Sequence, residues 1–481
     1  MSLASALANA GTGLAANARA IQIASGNIAN AQTPGYAVRT LQVSAAALGG
    51  QGSGVRVTGV TRQVDPALQD LLRTAGAARA QADSRAGFWA GIEGAFGLPD
   101  TPGSLTAALS GLTSALVSAA DRPDLDTRLA AVEGAAAGLV RRLQAIEGAV
   151  QTGRLEADAT IGRQAAALDS GLQRLHRLNG DIAALRATGQ STLDLDDERD
   201  ALLGTLSEIV PLKAHQRPDG RMLVFSEGGL VLLDQQPARI GFQPVPGMTA
   251  GMTLAGGQLS GLTVGGRPVA TDAAGPLAGG SLAAAFAFRD AEGPAAQSAL
   301  DAVAASLIAR FQDPATDPTV APGATGLFTD AGLPLGAAPP PGLAGRLALN
   351  PLVQPGAGGE LRRLRDGLGA AAPGPVGDPT QMTRLLGALD RPLAAVPGGS
   401  QRSLAAEIDE TLSAVGQTRQ AADDRARYAS SVEQGLADRR LEAGVDIDAE
   451  MRRLIAIETA YAANARVIQV ADDMLRRLME I

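Results

Sequence analysis

The chain of 481 residues has no cysteine, one lysine (Lys213), two histidines and only 2% aromatic residues. Each shortage closes a class of chemistry. Without thiols there is no disulfide framework, no thiolate zinc site and no cysteine nucleophile. His176 and His215 stand in different segments with no companion at metal-ligand spacing, so both read as surface or satisfied polar residues and no metal is expected. With so few aromatics, cores must be built from Ala, Leu and Val, which suits closely packed helices better than a deep ligand cavity. Phe88 and Trp89 read as helix-packing residues.

Charge and hydropathy exclude more. A formal net charge of −8 repels phosphate backbones and anionic lipid, which argues against nucleic-acid and membrane-surface partners. No uncharged apolar run reaches the length of about 18 residues that suggests a bilayer span. The first segment, MSLASALANAGTGLAANARAIQ, has no charge before Arg19 and reads as an Ala-rich helix rather than a secretory signal. Export, if it occurs, is therefore expected to proceed without a cleaved signal peptide. Catalytic patterns are missing too. There is no GxSxG, no P-loop lysine, and GGQGSG at 49–54 does not lead into a helix. Asp194-Leu195-Asp196-Asp197-Glu198 lacks the glycine turn and distal glutamate of a calcium loop and reads as a solvated helix start. No enzyme and no cofactor are expected.

What the chain does have is heptads at both ends. Leu7, Leu14, Ile21 and Ile28 lie seven apart, with Leu3, Ala10, Asn17, Ala24 and Ala31 at the companion position. Near the other end Ile447, Leu454, Tyr461, Ile468 and Leu475 repeat the spacing, with Glu450, Ile457, Asn464, Ala471 and Leu478 beside them. Repeats sustained over four heptads predict a coiled-coil seam. LAANARAIQIA at 14–24 is echoed by YAANARVIQVA at 461–471, identical at eight of eleven positions. Two matching seams imply that the termini pair into a stalk and that the middle is one long excursion from it. Asn17 and Asn464 either set the register of the seam or face solvent at a wide one. Ordering about 30 residues costs more than five large seam side chains return, so residues 1–35 and 445–481 are expected to be largely disordered until assembly buries them.

Between the ends the predicted order is as follows. Helix 3–31 stops at Thr33-Pro34-Gly35. Short strands around Tyr36–Val43 and Val55–Val60 form a β-ribbon, and Asp65-Pro66 opens a helix through about Trp89. Helices fill 104–210, broken at Asp121-Arg122-Pro123 and Gly189. The fold class is mainly α with a β-rich insert. Residues 1–65 and 444–481 form the coiled-coil stalk with its ribbon. Residues 66–211, 281–311 and 401–443 form a helical bundle domain, 212–280 the β-rich insert domain, and 312–400 a Pro/Gly-rich irregular region.

SGNIANAQTPGYA at 25–37 resembles the N-terminal signature of the flagellar rod, hook and hook-associated axial proteins. GVDIDAEMRRLIAIETAYAANARVIQVADDMLRRL at 444–478 resembles their shared C-terminal signature, and GVRVTGVTRQVD at 54–65 joins the likeness. The proline form of the turn at 33–36, and the segments at 194–210 and 279–311, are most similar to hook-associated members. The resemblance implies a structural subunit of a homo-oligomeric ring at the hook–filament junction, with a hook or distal-rod subunit as the alternative. It implies the hook protein below, the second hook-associated protein above, type III export to an extracellular position, and a FlgN-type export chaperone at the C-terminal region. The signature turn would then be Asn27, Asn30, Pro34, Gly35 and Tyr36. The assembly seam would be Leu7, Leu14, Asn17, Ile21, Ile28, Ile447, Leu454, Ile457, Tyr461, Asn464, Ile468 and Leu475.

Overall fold

The computed structural model describes residues 3–33, 35–48, 51–97, 101–394 and 401–479. Along the chain come α1 (Leu3–Ala29), β1 (Val38–Leu48), β2 (Gln51–Gln63), α2 (Pro66–Phe96), α3 (Leu105–Asp121), α4 (Asp126–Ala187) and α5 (Leu193–Ile209). Six short strands follow: β3 (Leu212–Gln216), β4 (Met222–Ser226), β5 (Val231–Leu233), β6 (Ile240–Gly241), β7 (Leu262–Val264) and β8 (Arg267–Val269). Helices α6 (Gly280–Ala287) and α7 (Gly293–Gln312) are joined by a π-helical turn, Phe288–Glu292. Then come β9 (Phe328–Asp330), α8 (Leu343–Arg346), β10 (Leu347–Leu349), α9 (Arg362–Asp366), α10 (Thr380–Asp390), β11 (Leu393–Ala394) and β12 (Gln401–Arg402). Two long helices, α11 (Leu404–Glu442) and α12 (Ile447–Met479), close the chain. The fold is mainly α with small antiparallel sheets.

Local chemistry sets the boundaries. Asp65 Oδ1 accepts from the amides of Ala67 and Leu68 and starts α2 ahead of Pro66, but the helix runs a full turn or more past Trp89. Ser104 caps α3 through the Ala107 amide. α4 ends where the Gln190 amide reaches back to the Leu185 carbonyl, the six-to-one bond of a Schellman motif. Asp446 Oδ1 accepts from the Ala449 amide at 3.0 Å and opens α12.

The chain divides into two compact units: residues 1–79, 168–238 and 429–481, and residues 80–167 and 239–428. In the first unit α1 has α12 on one side and the β1–β2 ribbon on another. The ribbon is antiparallel, with irregularities between Gln42 and Val43 and between Ala45 and Ala47. Its close seat on α1 depends on Gly54. A Cβ there, at φ +98°, would fall 2.1 Å from Thr12 Oγ1, which instead accepts from the Val55 amide at 3.2 Å. The antiparallel sheet β3–β4–β5 belongs to this unit as well.

The second unit is built on helices with a continuous apolar core. Leu112, Leu116, Leu143, Ile146 and Leu300 are wholly buried in it. Three of its aromatics sit together: Phe88 stacks on Phe288 with centroids 4.7 Å apart, and Trp89 meets the same ring edge-on at 6.4 Å. The stretch read from sequence as one helix, 281–311, is interrupted by the π turn. Arg289 there is fully buried, its Nη1 donating to Asp158 Oδ1 at 2.7 Å and its carbonyl accepting from Arg154 Nε at 2.9 Å. A buried ion pair held by side chains from another helix keeps the wider turn in place.

Two compositional segments behave differently from their sequence reading. The strands of 212–280 fall into two separate three-stranded sheets, β3–β4–β5 and β6–β7–β8, and these belong to different units. The Pro/Gly-rich region from 312 carries short strands and helices. Its Phe328, Leu347, Val353, Leu364 and Met382 are buried in the second unit's core. Glycine and proline set its turns, while its spaced apolar residues pack. Residues 395–400 lie outside the described residues.

Candidate assembly site at the terminal helices

α1 and α12 lie side by side and run in opposite directions. Asn27, near the end of α1, donates to Glu450 in the first turn of α12, and Gly13 faces Asn464 farther along. The approach at Gly13 is close, since a Cβ there would stand 2.8 Å from Asn464 Nδ2. Asn464 therefore lies over Gly13, a turn of α1 away from Asn17.

The seam residues divide by size. Leu7, Leu14, Asn17, Ile21 and Ile28 are half-buried, as are Leu454, Ile457, Asn464 and Ile468. Ile447, Tyr461 and Leu475 are exposed. Apart from Asn27 and Glu450, the deeply buried positions are small: Ala10, Ala16 and Ala24 on α1 and Ala471 on α12. Among its exposed charged residues α12 keeps large apolar side chains in contact with solvent, with Ile455 at 58% and Val470 at 53% exposure, joined by Met451, Val467 and Met474. These side chains are not covered by α1.

At the signature turn Asn27 is wholly buried. Its Nδ2 donates to the Arg39 carbonyl at 2.9 Å and to Glu450 Oε1 at 3.1 Å. Its Oδ1 accepts from the Arg39 amide at 3.0 Å and from the Tyr36 hydroxyl at 2.8 Å. Asn30 closes the helix end, donating to the Gly26 carbonyl at 2.9 Å and accepting from Thr33 Oγ1 at 3.2 Å. Gly35 takes φ +85°, and Pro34 lies outside the described residues. Burial raises the pKa of the Tyr36 phenol; Arg39 opposes this, and Asp197, Asp194 and Glu450 add to it. The phenol therefore stays a donor. Arg39 also lies over its ring, 5.0 Å from the centroid.

Sequence reasoning missed the partners of α5. Within the run Asp194–Glu198, Asp194 stays exposed as a solvated helix start requires, but Asp196 is buried and Asp197 is paired with arginines of the ribbon. Arg39 of β1 reaches Asp194 at 2.5 Å and Asp197 at 3.2 Å, and Arg62 of β2 reaches Asp197 and Asp200 at 2.7 Å each. Burial pushes the Asp197 carboxyl up, against the pull of Arg62 and Arg39. Asp196 turns inward, where Arg199 meets it at 2.7 Å and Thr192 Oγ1 at 2.9 Å. Three acids spaced three apart on one helix face were the available signal, and two arginines on facing strands complete it. Beside this network opens a groove of about 890 Å³, lined in part by Tyr36, Leu68, Leu72, Ala201, Ala437 and Leu441.

Among the described residues no group of three or more His, Asp or Glu side chains is placed to hold a metal, and no helix is long and apolar enough to cross a membrane. His176 is half-buried and His215 exposed.

Comparison with known proteins gives two family matches. Residues 90–326 match the flagellar hook-associated protein FlgK helical domain, and residues 441–481 match the flagellar basal body rod FlgEFG protein C-terminal family. Flagellar hook-associated protein 1 of Salmonella typhimurium is 26% identical over 244 residues, which is 49% of this chain and 44% of that protein. The protein of the same name from Escherichia coli is 25% identical over 244 residues, with the same shares. The match thus spans less than half the length of these relatives. The solved flagellar hook junction protein FlgK from Burkholderia pseudomallei aligns with a TM-score of 0.45 and 18% identity, over 54% of this chain and 46% of that one.

Proposed function

Because the chain belongs to the FlgK family of flagellar hook-associated proteins, we propose that it is a structural subunit of the ring joining hook to filament, and that its paired termini are a coiled-coil stalk through which copies assemble. The observation that carries this reading is the exposed apolar surface of α12 beside the seam already occupied by α1. A helix that keeps Met451, Ile455, Val467, Val470 and Met474 in water gains by burying them against neighbours, at about 25 cal/mol per Å² of apolar surface. Its partners are then further copies of itself, the hook protein below and the second hook-associated protein above. Before export, the same surface calls for cover, which supports a FlgN-type chaperone at the C-terminal region. Export through the flagellar type III apparatus, without a cleaved signal, places the subunit outside the cell.

A second reading has its own support, since residues 441–481 match the rod family's C-terminal model. A deletion strain separates the two. Loss of the filament with hooks retained and flagellin released into the medium is the outcome expected of a junction subunit. Loss of the hook itself would move the chain to the hook or distal rod.

A further inference from the structure

A carboxamide can make four hydrogen bonds, two as donor and two as acceptor, and Asn27 makes all four while wholly buried. Two of them go to the backbone of one residue. Nδ2 donates to the Arg39 carbonyl and Oδ1 accepts from the Arg39 amide, so the side chain pairs with β1 as the backbone of an adjacent strand would. The other donor hydrogen goes to Glu450 on α12, and the other lone pair takes the Tyr36 hydroxyl of the turn. One amide thus joins α1, the turn, β1 and α12.

We infer that Asn27 and Glu450 form a latch that couples docking of the C-terminal helix to closure of the N-terminal turn. Until Tyr36 and β1 are in place, Asn27 is free to rotate, and Glu450 loses the donor aimed at it. Glu450 depends on that donor. Its Oε2 is buried without a hydrogen-bond partner among the described residues, and the Arg453 guanidinium stands 3.7 Å from its Oε1. A buried carboxylate held by one good bond is costly when that bond goes. Aspartate at position 27 could accept but not donate, and would set one carboxylate against another. The latch lies at one end of the helix pair. At the other anchor Asn464 meets Gly13, which supplies only close packing.

The test uses the full chain, whose lack of cysteine permits clean labelling. Spin labels at Arg19→Cys and Arg466→Cys, both exposed sites, report by pulsed dipolar spectroscopy the ratio of docked to undocked α12. Asn27→Asp is expected to lower that ratio at least tenfold. Glu450→Ala, which leaves the other three bonds of Asn27 intact, is expected to lower it comparably while the ribbon stays folded. Glu450→Gln keeps an acceptor and should leave the ratio within about twofold. In Asn27→Asp/Glu450→Gln the donor and acceptor exchange places, and the ratio should rise at least threefold above Asn27→Asp. A merely structural asparagine would not be rescued by a change on α12. A double variant no better than Asn27→Asp, or an unchanged ratio in Glu450→Ala, overturns the latch.

Discussion

Ala331 has φ +51°, the one non-glycine residue with positive φ among those described. It forms a two-residue loop with Gly332, at φ +87°, between Asp330 and Leu333, whose backbones exchange both hydrogen bonds at 2.9 Å. Positive φ at both central positions is the demand of a primed hairpin turn, for which Asn-Gly is the favoured pair. Ala331→Asn is therefore expected to stabilise the chain by about 0.5–1 kcal/mol, read as a raised urea midpoint at unchanged slope. A lowered midpoint would mean that the loop is unstrained as it stands. At the same scale, side-chain type was legible in sequence but partnership was not. Asn27 stood out as part of the turn signature, yet nothing nearby in sequence names Glu450 as the residue it meets. Arg289 and Asp158, both fully buried and 2.7 Å apart, were likewise unreadable, because an ion pair between distant segments leaves no local period.

At the scale of elements, the heptads of α1 and α12 were legible because a seven-residue repeat is a property of one helix face. Register and direction were not. They depend on which small residues permit close approach, and here Gly13 under Asn464 sets the spacing. Marginal pairing has a consequence that hydrogen exchange can read. The seam buries alanines deeply and leaves its leucines and isoleucines half-covered or exposed, so α1 and α12 should be only weakly protected from exchange in the isolated subunit. They should become protected once copies assemble, while α3, packed through wholly buried Leu105, Leu112 and Leu116, is slow in both states. Strong protection of 445–479 in the isolated subunit would defeat the idea that assembly completes these helices. The 281–311 helix shows the converse limit. Helical periodicity continues through the π turn, and only Arg289, anchored by Asp158, reveals why the winding changes there.

For the whole molecule, two apolar surfaces of α12 matter, one covered by α1 and one exposed. A contact between unlike surfaces of identical copies is heterologous and either closes into a ring or continues as a helix. The junction reading expects concentrated, purified chain to stop at short assemblies in electron micrographs. Long tubes would instead place it with the hook subunits. The composition of the sequence by itself determined a mainly helical protein with no thiol chemistry, with Ala-, Leu- and Val-rich cores and with like termini, since each of these follows from residue type or from spacing along one chain. Tertiary structure alone decided that 212–280 divides between two units, that the proline-rich segment after 312 supplies core residues, and that Asn27 closes on Glu450. Those outcomes rest on contacts between residues far apart in sequence, and such contacts are fixed only when burial and hydrogen bonding are satisfied together.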